Sequence, residues 1–135
     1  MRYSLLLYHG DPKIGDIDAT DMARFMVAFD NYAQSLQQAG VLVSADILQP
    51  SASTTTLTLR TGHLQIQDGP FIETKEYLMG AFVIEVADQA SALAWAEQCP
   101  GARYGVIEIR PSATTFSDGQ WQRAKTVNKI NSAAT

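Results

Sequence analysis

The segment GAFVIEV, residues 80–86, is apolar at nearly every position. Such a run is typical of a strand at the centre of a sheet, where both faces are covered. Because side chains alternate along a strand, Phe82 and Ile84 share one face and Ala81 and Val83 share the other. The segment therefore predicts a central strand that needs packing on both sides.

Two helical patterns flank this strand in the chain. The first helix is predicted over residues 18–39, with Asp18 as its N-cap and Gly40 as the residue that ends it. Its apolar side chains recur at helical spacing and are expected in the core: Met22, Phe25, Met26, Phe29, Tyr32 and Leu36. The second helix is predicted to start at the cap Asp88 and to end before Pro100.

Three other runs predict further core strands, over residues 3–8, 41–48 and 103–111. The order of elements, with a hairpin before the central strand, indicates an α+β fold: a ferredoxin-like split βαβ sandwich with an added β-hairpin. Two helices cover only one face of such a sheet. A homodimer with the sheets face to face is therefore expected to cover the other.

The added hairpin is predicted from TTTLTLRTGHLQIQ, residues 54–67, which alternates strictly on both sides of Thr61-Gly62. A turn at these two residues pairs the apolar side chains on one face and the polar ones on the other. The apolar pairs are Leu57 with Ile66 and Leu59 with Leu64. This pattern indicates a hairpin with one face toward water.

Length and charge limit the possible functions. The 135 residues suit one domain, predicted over residues 1–111, followed by a polar extension over 112–135 with a short helix near 118–130. A net charge of −4 without a basic block argues against nucleic acid. No apolar run approaches the roughly 20 residues that cross a membrane. The lone cysteine, Cys99, is expected to be buried and suits the cytoplasm.

The segment QDGPFIETKEYLMGAF, residues 67–82, combines a turn with a dense group of charges. Gly69 and Pro70 suit the backbone conformation of a turn, and Phe71 is expected to pack into the core as a buried anchor. Asp68 belongs to the same turn. A tight corner does not need the charges of the residues that follow: Glu73, Lys75 and Glu76. These three are predicted to face a cleft and to bind a ligand there.

The candidate catalytic residues are His9 and Asp68. His9 ends the first strand and is the best candidate general base, whereas an idle, exposed histidine is the alternative. Asp68 could share a cleft with the nearby glutamates and be held partly protonated as an acid or base. His63 lies on the polar face of the hairpin. No metal spacing and no nucleotide-binding motif is present, so neither a metal nor a cofactor is expected.

Three segments carry a family resemblance: DGPFIETKE (68–76), AWAEQCP (94–100) and VIEIRP (106–111). Together they resemble the DGPF family of the YCII-related superfamily over roughly residues 1–111. The resemblance implies a ferredoxin-like fold that pairs as a dimeric α+β barrel. It also implies a link, for some members, to extracytoplasmic-function sigma factors. Enzymes of the superfamily are implied to use a His–Asp pair with the histidine on the first helix, and residues 18–39 contain no histidine here.

Two functions therefore remain open on the sequence. One is a cytoplasmic homodimer that binds a small ligand or a protein such as a sigma factor. The other is a small-molecule enzyme that uses His9 and Asp68 as acid and base in a cleft near the dimer interface. The missing histidine in the first helix favours the binding module slightly.

Overall fold

The computed structural model describes residues 1–10 and 19–124. Apart from short 3-10 turns at Ser51–Ser53 and Pro100–Arg103, these residues form ten elements. In chain order they are β1 (Arg2–His9), α1 (Ala19–Gln38), β2 (Leu42–Ile47), β3 (Thr55–Thr58), β4 (Gln65–Asp68), β5 (Tyr77–Glu85), α2 (Gln89–Glu97), β6 (Val106–Pro111), β7 (Thr114–Ser117) and β8 (Gln120–Arg123).

The main sheet has four antiparallel strands in the order β2-β5-β1-β6. Strand β5, which contains GAFVIEV, pairs with β2 on one side and β1 on the other, so the predicted interior position is confirmed. With one helix after β1 and one after β5, this order is that of a ferredoxin-like split βαβ fold. The predicted fold class is confirmed.

The core lies on one face of this sheet. Tyr3, Leu5 and Leu7 alternate into it from β1, because every second side chain of a strand shares a face. From β5, Phe82 and Ile84 join them. Both helices pack on this face with the buried residues Tyr32, Leu36, Ala92 and Ala96. Cys99 is free and buried in the same cluster, as predicted.

The opposite face of the sheet is less covered. Ala81 and Val83 of β5 are half-buried, and so are Ser4 and Leu6, which lie beside them on β1. Both described helices lie on the core face. The prediction that β5 presents apolar side chains to both sides is therefore correct.

The fully buried side chains of helix α1 lie in its second half. Tyr32 and Leu36 are buried, and the Tyr32 hydroxyl donates a hydrogen bond to the carbonyl oxygen of Trp95 at 2.7 Å. Met22 and Met26 were expected in the core, and this is wrong: Met26 is 66% exposed. The helix extends beyond the elements that cover its second half, so correct spacing does not bury its first turns. The predicted cap, Asp18, lies outside the described residues.

Helix α2 begins as predicted. The carboxylate of Asp88 accepts hydrogen bonds from the backbone N–H of Ser91 at 2.9 Å and from its hydroxyl at 2.8 Å. These bonds favour the charged carboxylate, so the pKa of Asp88 is lowered. Neither described helix is long and apolar enough to cross a membrane.

The hairpin β3–β4 has the predicted register, with Leu57 opposite Ile66 and Thr58 opposite Gln65. The ladder ends at this pair, so the expected pair of Leu59 with Leu64, which lies closer to the turn, is not part of it. Gly62, at φ +85°, donates its N–H to the carbonyl of Leu59 at 2.9 Å and closes the turn. The predicted apolar face stays exposed: Leu57, Leu59, Leu64 and Ile66 are 57% to 62% accessible.

A second hairpin, β7–β8, follows the main domain. A short helix was predicted near 118–130, and this is wrong over residues 118–124; the rest lies outside the described residues. Asp118 and Gly119 both have positive φ, at 54° and 77°, as a two-residue hairpin turn requires. Across the strands, the rings of Phe116 and Trp121 lie 5.3 Å apart and are largely exposed.

Candidate functional site

The Asp68–Phe71 corner is built from backbone hydrogen bonds. Gly69 has φ +98°, a conformation that side chains disfavour. Its N–H donates to the carbonyl of Thr54 at 2.7 Å, and its carbonyl accepts from the Thr56 hydroxyl at 2.8 Å. The Gln67 side-chain amide donates to the carbonyl of Pro70 at 2.9 Å. These bonds tie the end of β4 to the start of β3.

Phe71 does not bury itself under this corner. The predicted anchor role is wrong within this chain, because Phe71 is 61% exposed. The Arg60 guanidinium lies over its ring, 5.4 Å from the centroid, which is a cation–π arrangement. The corner is therefore held by its backbone bonds, and Phe71 is left as an accessible apolar surface.

The charged side chains of Glu73, Lys75 and Glu76 all lie in water. Their backbone is fastened by Thr74, whose N–H donates to the Tyr77 hydroxyl oxygen at 3.1 Å and whose hydroxyl donates to the carbonyl of Glu76. None of the three forms an ion pair with any residue in the described part of the chain. Their charges are free to meet a ligand or partner.

His9 and Asp68 lie at the ends of different strands. His9, the last residue of β1, is half-buried and is paired with Tyr77 in the β1–β5 register. Its Nδ1 lies 2.8 Å from the carbonyl oxygen of Gly10. Asp68, the last residue of β4, is exposed and is paired with Thr55. Within residues 1–10 and 19–124 no hydrogen bond joins the two side chains.

An open cleft of about 400 Å³ lies beside Tyr77, at the start of β5. Its lining comes from the link between β2 and β3 and from the start of β5: Leu48, Gln49, Pro50, Ser51, Ser53, Thr54, Tyr77 and Leu78. Tyr77, which lines the cleft, is paired with His9 in the β1–β5 register. The carbonyl of Thr54, which also lines it, accepts a hydrogen bond from the N–H of Gly69 in the corner. None of the predicted site residues is among the described lining, and two of the lining residues are neighbours of His9 and of the corner.

The described lining of the cleft is uncharged, and more of its surface is apolar than polar. Hydroxyls, one amide and apolar side chains line it, without a charged side chain. The Tyr77 hydroxyl oxygen accepts from Thr74, which leaves its own proton for donation. These groups suit a small molecule with hydroxyl or carbonyl oxygens. Across the described ranges no three His, Cys, Asp or Glu side chains are grouped so as to hold a metal ion.

The sequence reasoning missed this lining. The run after β2, QPSASTTT at residues 49–56, is rich in hydroxyl side chains. That composition was the available signal. Its meaning depends on the return of β5 beside the run, which brings Tyr77 across from it.

Comparison with known proteins agrees with this architecture. The family model of the YCII-related domain matches residues 1–113. An uncharacterized protein of Rhizobium meliloti (strain 1021) is 30% identical over 115 residues, which cover 84% of this chain and 93% of that protein. A match over most of the chain shows the family. The chain is a member of the YCII-related family.

Proposed function

We propose that the protein is a homodimeric cytoplasmic module that binds a small polar molecule in the cleft beside Tyr77. Two residues of the cleft carry this proposal: Tyr77 is paired with His9 in the β1–β5 register, and the carbonyl of Thr54 accepts a hydrogen bond from Gly69 in the corner. Residues 1–111 form the binding domain and residues 112–135 an extension. In this proposal Glu73, Lys75 and Glu76, which belong to the binding domain, form the rim of the cleft and select the ligand or a protein partner.

Binding without catalysis is favoured by the state of the two candidate catalytic residues. Among the described residues, the His9 ring forms a hydrogen bond with the carbonyl of its own neighbour, Gly10, and none with Asp68. General acid–base catalysis needs such groups within hydrogen-bond reach of the reacting atoms. The alternative is an enzyme in which ligand binding draws His9 and Asp68 together around the cleft.

A dimer is supported by the amount of exposed apolar surface. The outward face of the β3–β4 hairpin carries four accessible aliphatic side chains, and Phe71 and Ile72 add two more close by. Contiguous apolar surface of this kind usually marks an interface. The half-buried face of the main sheet provides a second area that a partner copy would cover.

We expect the paired substitution Leu57→Glu/Ile66→Glu to convert the dimer to a monomer, because buried carboxylates without partners are costly. Analytical ultracentrifugation at micromolar concentration should give twice the chain mass of 14.7 kDa for the wild type and the single chain mass for the variant. The control, Thr58→Glu/Gln65→Glu, adds the same charge to the adjacent pair on the other face and should remain dimeric. A monomeric wild type would refute the dimer.

Ligand binding is tested by a thermal-shift screen of small neutral metabolites with hydroxyl or carbonyl groups. A hit should raise the melting temperature of the wild type, and Glu73→Gln and Glu76→Gln should weaken its binding at unchanged stability, because both side chains are exposed. The matched control is Glu97→Gln, at the end of α2. Equal binding by Glu73→Gln, Glu76→Gln and the control would show that the two rim glutamates do not contribute to the site.

The same assay separates the two functions. If a hit is consumed by the wild type and not by Asp68→Asn or His9→Gln, the protein is an enzyme. A hit that is bound and recovered unchanged supports the binding module. A stoichiometric protein partner, such as a sigma factor, without any small-molecule hit would make the rim a protein-recognition surface.

A further inference from the structure

A second cleft, of about 320 Å³, lies at the opposite end of β1 and is independent of the cleft beside Tyr77. It forms where β1 begins and β5 ends, beside the β7–β8 hairpin. The N–H of Ser112 donates to the carbonyl of Arg2 at 2.9 Å, and that of Ala124 donates to Ala113 at 2.9 Å, which holds the hairpin there. Its polar lining includes Arg2, Ser112, Thr115, Ser117, Gln122 and Arg123.

Arg2, which lines this cleft, has a hydrogen-bond donor without an acceptor. Its Nε is buried and has no hydrogen-bond partner. A guanidinium group carries five N–H donors and cannot give up its charge, so a buried donor without an acceptor is unfavourable. If the Arg2 side chain turned toward the cleft, an oxyanion there would supply the missing acceptor, since guanidinium groups bind such anions in a forked geometry.

The charges around the cleft favour an anion. Arg2, Arg123 and the amino group of Met1 contribute positive charge, and Glu85 contributes the one carboxylate of the described lining. A Glu85 oxygen lies 3.5 Å from the Met1 amino nitrogen, which also donates to the carbonyl of Val86 at 2.6 Å. Glu85 is the natural competitor of an anion, because it lies directly opposite Arg2 in the β1–β5 register.

We propose that this cleft is a binding site for a small oxyanion, the phosphate or carboxylate group of a small molecule. Arg2 supplies charged donors, and Arg123 adds charge. The hydroxyls of Ser112, Thr115 and Ser117 and the amide of Gln122 provide further donors. The lining thus offers both charge and neutral donors, whereas the cleft beside Tyr77 offers only neutral ones.

The test is calorimetric titration of the full chain, purified without an N-terminal tag, with inorganic phosphate and separately with succinate at constant ionic strength. The wild type should bind at least one of them. Arg2→Gln should bind at least about tenfold more weakly, since it loses charge-assisted hydrogen bonds. Arg103→Gln, which removes the same charge outside the cleft, should stay within about twofold of the wild type.

Glu85→Gln provides a change in the opposite direction, since removing the competing carboxylate should tighten binding. Preference for phosphate or for succinate identifies the source of the anion. Circular dichroism checks that each variant is folded, and Arg123→Gln replaces Arg2→Gln if the latter is not. Absence of binding below about 10 mM for both anions, or equal weakening by Arg2→Gln and Arg103→Gln, would overturn the proposal. Neither result bears on the function proposed for the cleft beside Tyr77.

Discussion

Phe82→Ala is expected to remove a large part of the stability of this protein. Phe82 is 2% exposed and lies in the middle of the core, with its ring 5.1 Å from that of Tyr32 and 6.3 Å from that of Phe29. Truncating such a side chain leaves a cavity and costs about 3–5 kcal/mol. Domains of this size are stable by only about 5–15 kcal/mol, so the variant should be largely unfolded in mild denaturant. Urea denaturation followed by circular dichroism measures the loss.

The matched control is Phe116→Ala. Phe116 is mostly exposed and packs against Trp121 alone among the described aromatic rings. Loss of one exposed ring pair should cost no more than about 1.5 kcal/mol. If the two variants lost the same free energy of unfolding, the core would not be organised around Phe82.

Gly105→Ala is the second substitution with a large expected effect. A Cβ atom at this position would lie 1.9 Å from the carbonyl oxygen of Tyr8 and 2.8 Å from the Cβ of His9. Both contacts involve the end of β1, whose backbone cannot turn aside as a flexible side chain could. Forcing extra atoms into a packed site costs about 1–3 kcal/mol and occasionally more. The end of β1 should move, and His9 with it.

Denaturation measures the lost stability, and the NMR chemical shifts of the His9 ring report its displacement. Gly101→Ala is the control. There the added Cβ would lie 3.1 Å from Cδ2 of Leu7, the end of a side chain that can shift. We expect this change to cost less than about 1 kcal/mol and to leave the His9 signals in place. Unchanged His9 signals in Gly105→Ala would mean that the loop before β6 yields instead of β1.

The fold was predictable because its local patterns agree with one another. The apolar run of β5, the alternation of β3 and β4 and the cap at Asp88 each specify an element, and their order leaves few ways to build a sheet. The register of the first hairpin could be read from alternation alone, since a slip of one residue would move its whole apolar set to the other face.

Two of the errors share one cause. Met26 has the same helical spacing as the buried Leu36, and Phe71 is as apolar as the buried Phe82, yet only the second of each pair is covered. Spacing states which side chains share a face but not how far the opposing layer extends. The error at residues 118–124 has a different cause. Asp118-Gly119 is typical of a two-residue hairpin turn, and this signal outweighs the helical pattern there.

The sequence by itself determined the order and type of the core elements, the position of β5 inside the sheet, and the set of charged residues around the corner after Asp68. Those features depend on periodicity, capping and turn chemistry between neighbours in the chain. Only the tertiary structure decided that Tyr77 meets the hydroxyl-rich run after β2, and that Arg2 lies beside a hairpin from the other end of the chain. Both clefts join segments far apart in sequence, and such contacts exist only after the sheet has closed.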